Sequence, residues 1–228
     1  MHLKRSTINR LIVEAKELRH KHHFMLPQFA FWDPQTWADL GHEADEIRES
    51  ALGWNVTDFG AGDFKSLGLL LFTIRNGNYH LADQYPKSYA EKVMVVRPGQ
   101  ITPRHFHWKK RENIINRGGG DLVLEVYKSG KDEELSDEHF FLSLDGVRKD
   151  CTPGERIVLT PGDSICLKPG VYHTFYGARE TDSVLVGEVS AVNDDANDNR
   201  FLEPMGRFPT IEEDEEPIHL LCIEYPSA

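Results

Sequence analysis

His105, His107, Glu112 and, far along the chain, His173 have the residue types of a metal-binding set. In a strand, residues two apart point to the same face, so His105 and His107 present both imidazoles to one cavity. Glu112 follows after a short turn and can return a carboxylate to the same point. His173 closes the segment GDSICLKPGVYH (162–173) and supplies a third imidazole. Three imidazoles and one carboxylate suit a borderline divalent ion such as Mn, Fe, Co, Ni or Zn, with positions left for water or substrate. An HxH pair on its own reads more readily as two unrelated histidines of a surface strand.

Other groups could act beside such an ion. Lys109 and Lys110 fall between His107 and Glu112, and neighbours on a strand face opposite ways, so one of the two points inward. At least one of the two ammonium groups can thus lie beside the metal, and spacing leaves open whether it is Lys109 or Lys110. The run NDDANDNRFLEPM (193–205) is dense in groups that bind hydroxyls and carries Glu203, a spare carboxylate that could move a proton. Asp194 and Arg200 are candidates for holding hydroxyls, or equally a structural ion pair, and Lys92 is a weaker candidate. Trp108 and Phe175 flank the ligands and either wall the pocket or pack in the core. His20, His22 and His23 end a polar helix and read as exposed.

The elements that must position these residues follow from periodicity. Ile8, Leu11, Ile12, Ala15 and Leu18 recur at three- and four-residue steps, which predicts an amphipathic helix from Ser6 to about His20, with Ser6 or Thr7 as N-cap. Asp33-Pro34 predicts a capped second helix running to roughly Arg48. Both pack outside a sheet or across a subunit contact. From Gly53 onward the pattern changes to short runs rich in β-branched residues: 67–75, 92–97, 121–127, 156–160, 164–168 and 183–192. Pro-Gly pairs at 98–99, 153–154, 161–162 and 169–170, and the triple glycine at 118–120, read as turns of a β-sandwich or jelly roll. The acidic run Glu212–Glu216 reads as a solvated loop, and the final apolar run as a strand or helix packed back on the barrel. The expectation is one domain, with a helical extension over 1–52 and a barrel plus C-terminal extension over 53–228.

Composition excludes several function classes. At 228 residues, with 39% hydrophobic and 28% charged, the chain can bury a sizeable core. A formal charge of −11 makes nucleic acid and anionic membranes poor partners. Three scattered cysteines, no apolar leader and no long apolar span lead to the expectation of a reduced, cytoplasmic protein.

The two ligand segments resemble the paired motifs of the cupin superfamily. The first matches throughout: Gly99, five residues, HxH, four residues, Glu112, six residues, Gly119. The second matches in Gly162, Gly170 and His173, and departs at Lys168-Pro169 and Gly177. Longer stretches, KVMVVRPGQITPRHFHWKKRENI, PGVYHTFYG and GEVSAVNDD with NRFLEPMGRFPTIEEDE, resemble the cupin-type D-lyxose isomerases, and the resemblance covers most of the chain. It implies a mainly β, cupin jelly-roll barrel with outer N-terminal helices. It also implies an aldose–ketose isomerase acting on D-lyxose, and on D-mannose as well, with Mn²⁺ as the usual metal. In that chemistry the ion steadies an enediolate, Lys110 assists near O1 or O2, and Glu203 is the expected base, with Asp194 and Arg200 on the sugar. A homodimer is expected. A cupin dioxygenase and a non-catalytic sugar-binding cupin are the alternatives.

Overall fold

The computed structural model describes residues 3–206 and 208–228. Three helices, α1 (Arg5–Lys21), α2 (Pro34–Asp39) and α3 (Asp45–Glu49), precede most of the strands. The strands are β1 (Leu3–Lys4), β2 (Gly53–Thr57), β3 (Leu69–Arg75), β4 (Tyr89–Val96), β5 (Ile101–Phe106) and β6 (Glu112–Gly119). They continue as β7 (Leu122–Ser129), β8 (Leu135–Ser136), β9 (Phe140–Leu144), β10 (Val147–Cys151) and β11 (Glu155–Leu159). The last are β12 (Ser164–Leu167), β13 (Val171–Gly177), β14 (Val184–Ala191), β15 (Arg200–Phe201) and β16 (Ile211–Glu212).

Two antiparallel sheets make the barrel. One runs β10-β9-β12-β6-β14-β4-β3-β2, and the other β11-β7-β13-β5-β15 with β8 on the edge of β7. Met94, Ile114, Leu124, Phe175, Val184 and Val186 point between the sheets and fill the barrel. The alternate residues Leu70, Phe72, Val93, Val95 and Leu185 point outward and meet Ile8, Leu11 and Ile12 of α1. Both faces of the large sheet are therefore covered, which explains why runs such as LLLF are apolar throughout rather than alternating. The fold is mainly β and cupin-like, with the N-terminal helices outside, as the resemblance implies. The apolar face of α1 is spent on its own barrel, so it does not serve as a subunit contact.

Several local expectations are corrected. The first helix begins at Arg5 and has no side-chain cap of its own. Ser6 instead donates its N–H and its hydroxyl to the Asp214 carboxylate, each at 2.9 Å, so an acid from the far end of the chain satisfies the helix start. The acidic run is thus not simply a solvated loop. Glu213 also binds the buried Arg5 guanidinium through contacts of 2.8 and 2.7 Å. The second helix keeps its Asp33 cap, through Thr36 N–H at 2.7 Å, but breaks at Leu40-Gly41. There Arg48 donates to the carbonyls of Leu40 and Gly41, at 2.9 and 2.7 Å. The final apolar run is irregular: Leu221 bridges to Trp54, and Tyr225 stacks on Trp37 with ring centroids 3.8 Å apart. The β9–β10 hairpin escapes the reading by apolar runs because three of the five residues of VRKDC are charged. Its Asp145-Gly146 turn, with φ of 48° and 86°, was the available signal.

Candidate metal and active site

The barrel brings the two histidine segments together directly. His105 on β5 lies opposite His173 on β13, at a point where the pairing of the two strands shifts register before Phe175. Such an irregularity re-aims side chains at the rim of a barrel. His107 follows the end of β5. The three ring centroids stand 4.2, 5.1 and 5.9 Å apart, and one nitrogen from each ring lies within 4.8 Å of the others.

Each ring is oriented by a backbone carbonyl. Nδ1 of His105 meets Pro103 O at 2.8 Å, that of His107 meets Asp198 O at 2.7 Å, and that of His173 meets Val171 O at 3.1 Å. A carbonyl only accepts, so each Nδ1 donates and each Nε2 is left as a lone pair. Glu112, at the start of β6, places Oε1 3.1 Å from His173 Nε2 and 3.4 Å from His107 Nε2. His107 Nε2 and Glu112 Oε1 are buried without a hydrogen-bond partner. Lone pairs gathered in this way are stable only with positive charge between them. The three histidines could therefore hold a metal ion, and Glu112 Oε1 lies beside two of them. Burial, and then the neighbouring His173 and His107, hold the His105 pKa well below 6.5, so the ring is neutral, as a ligand must be.

A chain of alternating charge runs beside this group. Lys110 Nζ is 2.9 Å from Glu112 Oε2 and 2.9 Å from Glu188 Oε1. Lys92, directly opposite Glu188 across β4 and β14, lies 3.5 Å from Glu188 Oε1 and 3.6 Å from Asp195 Oδ1. Asn193 Oδ1 accepts from both ammonium groups. All four of Lys92, Lys110, Glu112 and Glu188 are no more than 5% exposed. Burial opposes charge on Lys110, Glu112 and Glu188, but the partners outweigh it. Glu112, Glu188 and Asp195 raise the Lys110 pKa, Lys110 and His107 hold Glu112 well below its ordinary value, and Lys110 and Lys92 lower Glu188.

Of the two adjacent lysines, Lys110 points in, and Lys109 is exposed. Phe175 lines the cavity with Met94, Phe59 and Phe201, whereas Trp108 is 43% exposed and donates to Glu133. Glu203 is exposed and does not line the cavity. Asp194 accepts from Asn197 at 3.1 Å, and Arg200 meets Glu133 at 3.2 Å; neither lines the cavity. For Arg200 the structural ion pair is what forms. The cavity is instead lined by Glu188, Lys92, Asp195 and Asn199. Sequence reasoning passed over Glu188, and its signal was a charge in the inward phase of an apolar strand, two residues past Val186.

Comparison with known proteins agrees with this geometry. A family model described as D-lyxose isomerase matches residues 3–225. A D-lyxose/D-mannose isomerase of Serratia proteamaculans is 46% identical over 224 residues, covering 98% of each chain. One from Escherichia coli O157:H7 is also 46% identical, with the same coverage. Among solved structures, L-ribose isomerase of Cellulomonas parahominis superposes with a TM-score of 0.61 at 17% identity, covering 92% of this chain and 99% of the other. That of Acinetobacter sp. DL28 in complex with L-ribose gives 0.57 at 16%, over 89% and 93%. At such identity the structural likeness speaks for the fold alone. The metal-ready histidines, the buried charge chain and the matched family model converge: the chain is an aldose–ketose isomerase and belongs to the D-lyxose isomerase family.

Proposed function

We propose that the protein interconverts D-lyxose and D-xylulose, and D-mannose and D-fructose, using Mn²⁺ held by His105, His107, His173 and Glu112. When bound, the divalent ion supplies a Lewis acid for two neighbouring sugar oxygens. Glu188 takes the proton from C2 of the aldose and returns it to C1, while a second proton passes from O2 to O1. Lys110 holds its ammonium beside the oxygen that gains negative charge between those steps. A well-placed donor of this kind is worth roughly 3–4 kcal/mol. Lys92 and Lys110 keep Glu188 ionised at neutral pH, so it enters the cycle as a base.

The observation that carries this reading is the shared ammonium. Lys110 contacts Glu112 and Glu188 at 2.9 Å each, which sets a base one cation away from the metal-facing carboxylate. Glu188 replaces Glu203 as the proposed base because Glu203 is exposed outside the cavity. Asp195 and Asn199 replace Asp194 and Arg200 as the groups that face sugar hydroxyls. The charged side chains Lys92, Lys110, Glu112 and Glu188 in the lining also disfavour an oxygenase, which favours a more apolar pocket.

The test is a panel of pentoses and hexoses assayed with metal-stripped protein, with and without added Mn²⁺, Co²⁺ or Zn²⁺. D-lyxose turnover restored best by Mn²⁺ supports the proposal; turnover independent of added metal rejects it. A cytoplasmic homodimer belongs to the same proposal. Three cysteines that form no disulfide among the described residues favour a reducing compartment, and the open hairpin residues Phe141 and Val147 favour a second copy. A clean monomer in sedimentation at micromolar concentration would reject the dimer.

A further inference from the structure

The segment between β14 and β15 has a compact turn of its own making. Asp198 N–H and Asn197 N–H both donate to Asp194 O, at 2.9 and 3.1 Å, and Asn199 Nδ2 donates to Asp195 O at 2.9 Å. Asp198 is only 4% exposed, although it sits in a stretch of hydrophilic residues. Its carboxylate does not face the cavity. Oδ1 accepts the Lys109 N–H at 2.8 Å, and Oδ2 accepts the Lys110 N–H at 2.8 Å. Its carbonyl accepts Nδ1–H of His107 at 2.7 Å. One residue thus grips the link between β5 and β6 at three points, and that link carries a histidine of the metal group at one end and the buried ammonium at the other.

We propose that Asp198 is a positioning residue for catalysis: it fixes the Lys110 ammonium through its carboxylate and the His107 ring through its carbonyl. Two adjacent amides can be held by one carboxylate only if both point the same way, so the backbone at Lys109-Lys110 is locked. With the backbone locked, the inward direction of Lys110 is decided, and Lys109 is left to solvent. An amide side chain cannot do the same, because its nitrogen would meet one N–H as donor against donor. Groups behind a metal ligand typically change metal affinity or activity by roughly 10–100-fold when altered.

The inference rests on the proposed role of Lys110, and the experiment separates the two. D198N, K110M and the double variant are compared for kcat and KM on D-lyxose and for Mn²⁺ affinity of the metal-stripped protein by calorimetry. The expectation for D198N is a loss in kcat of at least about tenfold, little change in KM, and Mn²⁺ binding weakened by roughly tenfold. At saturating Mn²⁺, D198N should cost no further kcat in the K110M background, because the ammonium it positions is gone, while the weakening of Mn²⁺ binding through His107 remains. Full activity in K110M would sink the role of Lys110 itself. Losses in kcat that multiply in the double variant, or unchanged kcat and Mn²⁺ affinity in D198N, would overturn the role of Asp198. If D198N does not fold, amide hydrogen exchange of the wild-type protein decides. Lys109 and Lys110 N–H slowed by about a hundredfold or more over free peptide supports the clamp, and exchange at the free rate overturns it.

Discussion

Glu188→Gln removes one negative charge from a place where two ammonium groups compete for it. The side chain keeps its size, and one oxygen can still accept from Lys110, so the change is confined to charge and basicity. Loss of a general base typically costs 10²–10⁴-fold, or about 3–5.5 kcal/mol in the barrier. Stability falls as well, since removing one partner of a buried ion pair costs up to about 3–5 kcal/mol. Here the loss sits at the low end, because Lys110 keeps Glu112 at 2.9 Å and Lys92 keeps Asp195 at 3.6 Å. For a chain of this size, about 3 kcal/mol lowers Tm by roughly 6–12 °C, so the variant remains folded at 25 °C. The assay follows ketose formation from D-lyxose together with deuterium uptake at the reacting carbons in D₂O, with circular dichroism as the check on folding. Mn²⁺ affinity should change little, since the carboxylate of Glu188 faces ammonium groups and not the histidine nitrogens. Activity within threefold of wild type, or undiminished deuterium uptake, would show that Glu188 does not move the proton.

Four further outcomes are expected. Glu203→Gln should leave kcat within about twofold, as suits an exposed surface residue; a hundredfold loss in steady-state kinetics would return the base to the 193–205 run. Chelation should abolish turnover and, by removing a ligand present at about 100 times its Kd, withdraw roughly 2.7 kcal/mol of stability, seen as a Tm lower by about 5–10 °C. Phe72→Ala empties the layer between α1 and the sheet and should cost about 3–5 kcal/mol in urea unfolding. Because Phe72 faces away from the barrel interior, its Mn²⁺ affinity measured at 25 °C should hold. His219 is kept neutral by burial, with Nδ1 donating to Trp32 O at 2.8 Å and Nε2 3.0 Å from Lys16 Nζ. Its folded pKa is below 6.5, so the unfolded chain binds more protons as pH falls past that value, and stability drops with it. His219→Gln should flatten that slope in urea titrations between pH 7.5 and 5.

Much of the fold was legible because strand phase and turn chemistry are local. Met94 and Val96, and likewise Val184 and Val186, announce the inward phase of their strands, and Lys92 and Glu188 continue it. What was misread depended on distant chain: the helix start is satisfied by Asp214, the second helix yields at Leu40-Gly41 with Arg48 taking its carbonyls, and the last residues pack on Trp54 and Trp37 without regular structure.

The sequence by itself determined the donor types, since the HxH spacing on a strand and the turn back to Glu112 are matters of covalent geometry and pleat. It also determined that the first two histidines share one face. Only the tertiary structure decided that His173 stands across from His105, that Lys110 and not Lys109 turns inward, and that Glu188 and not Glu203 reaches the cavity. Those three outcomes depend on strand pairing and on the Asp198 grip between segments far apart in the chain. No local spacing encodes which strands become neighbours, so the charges that meet at Lys110 are brought together by the closure of the barrel.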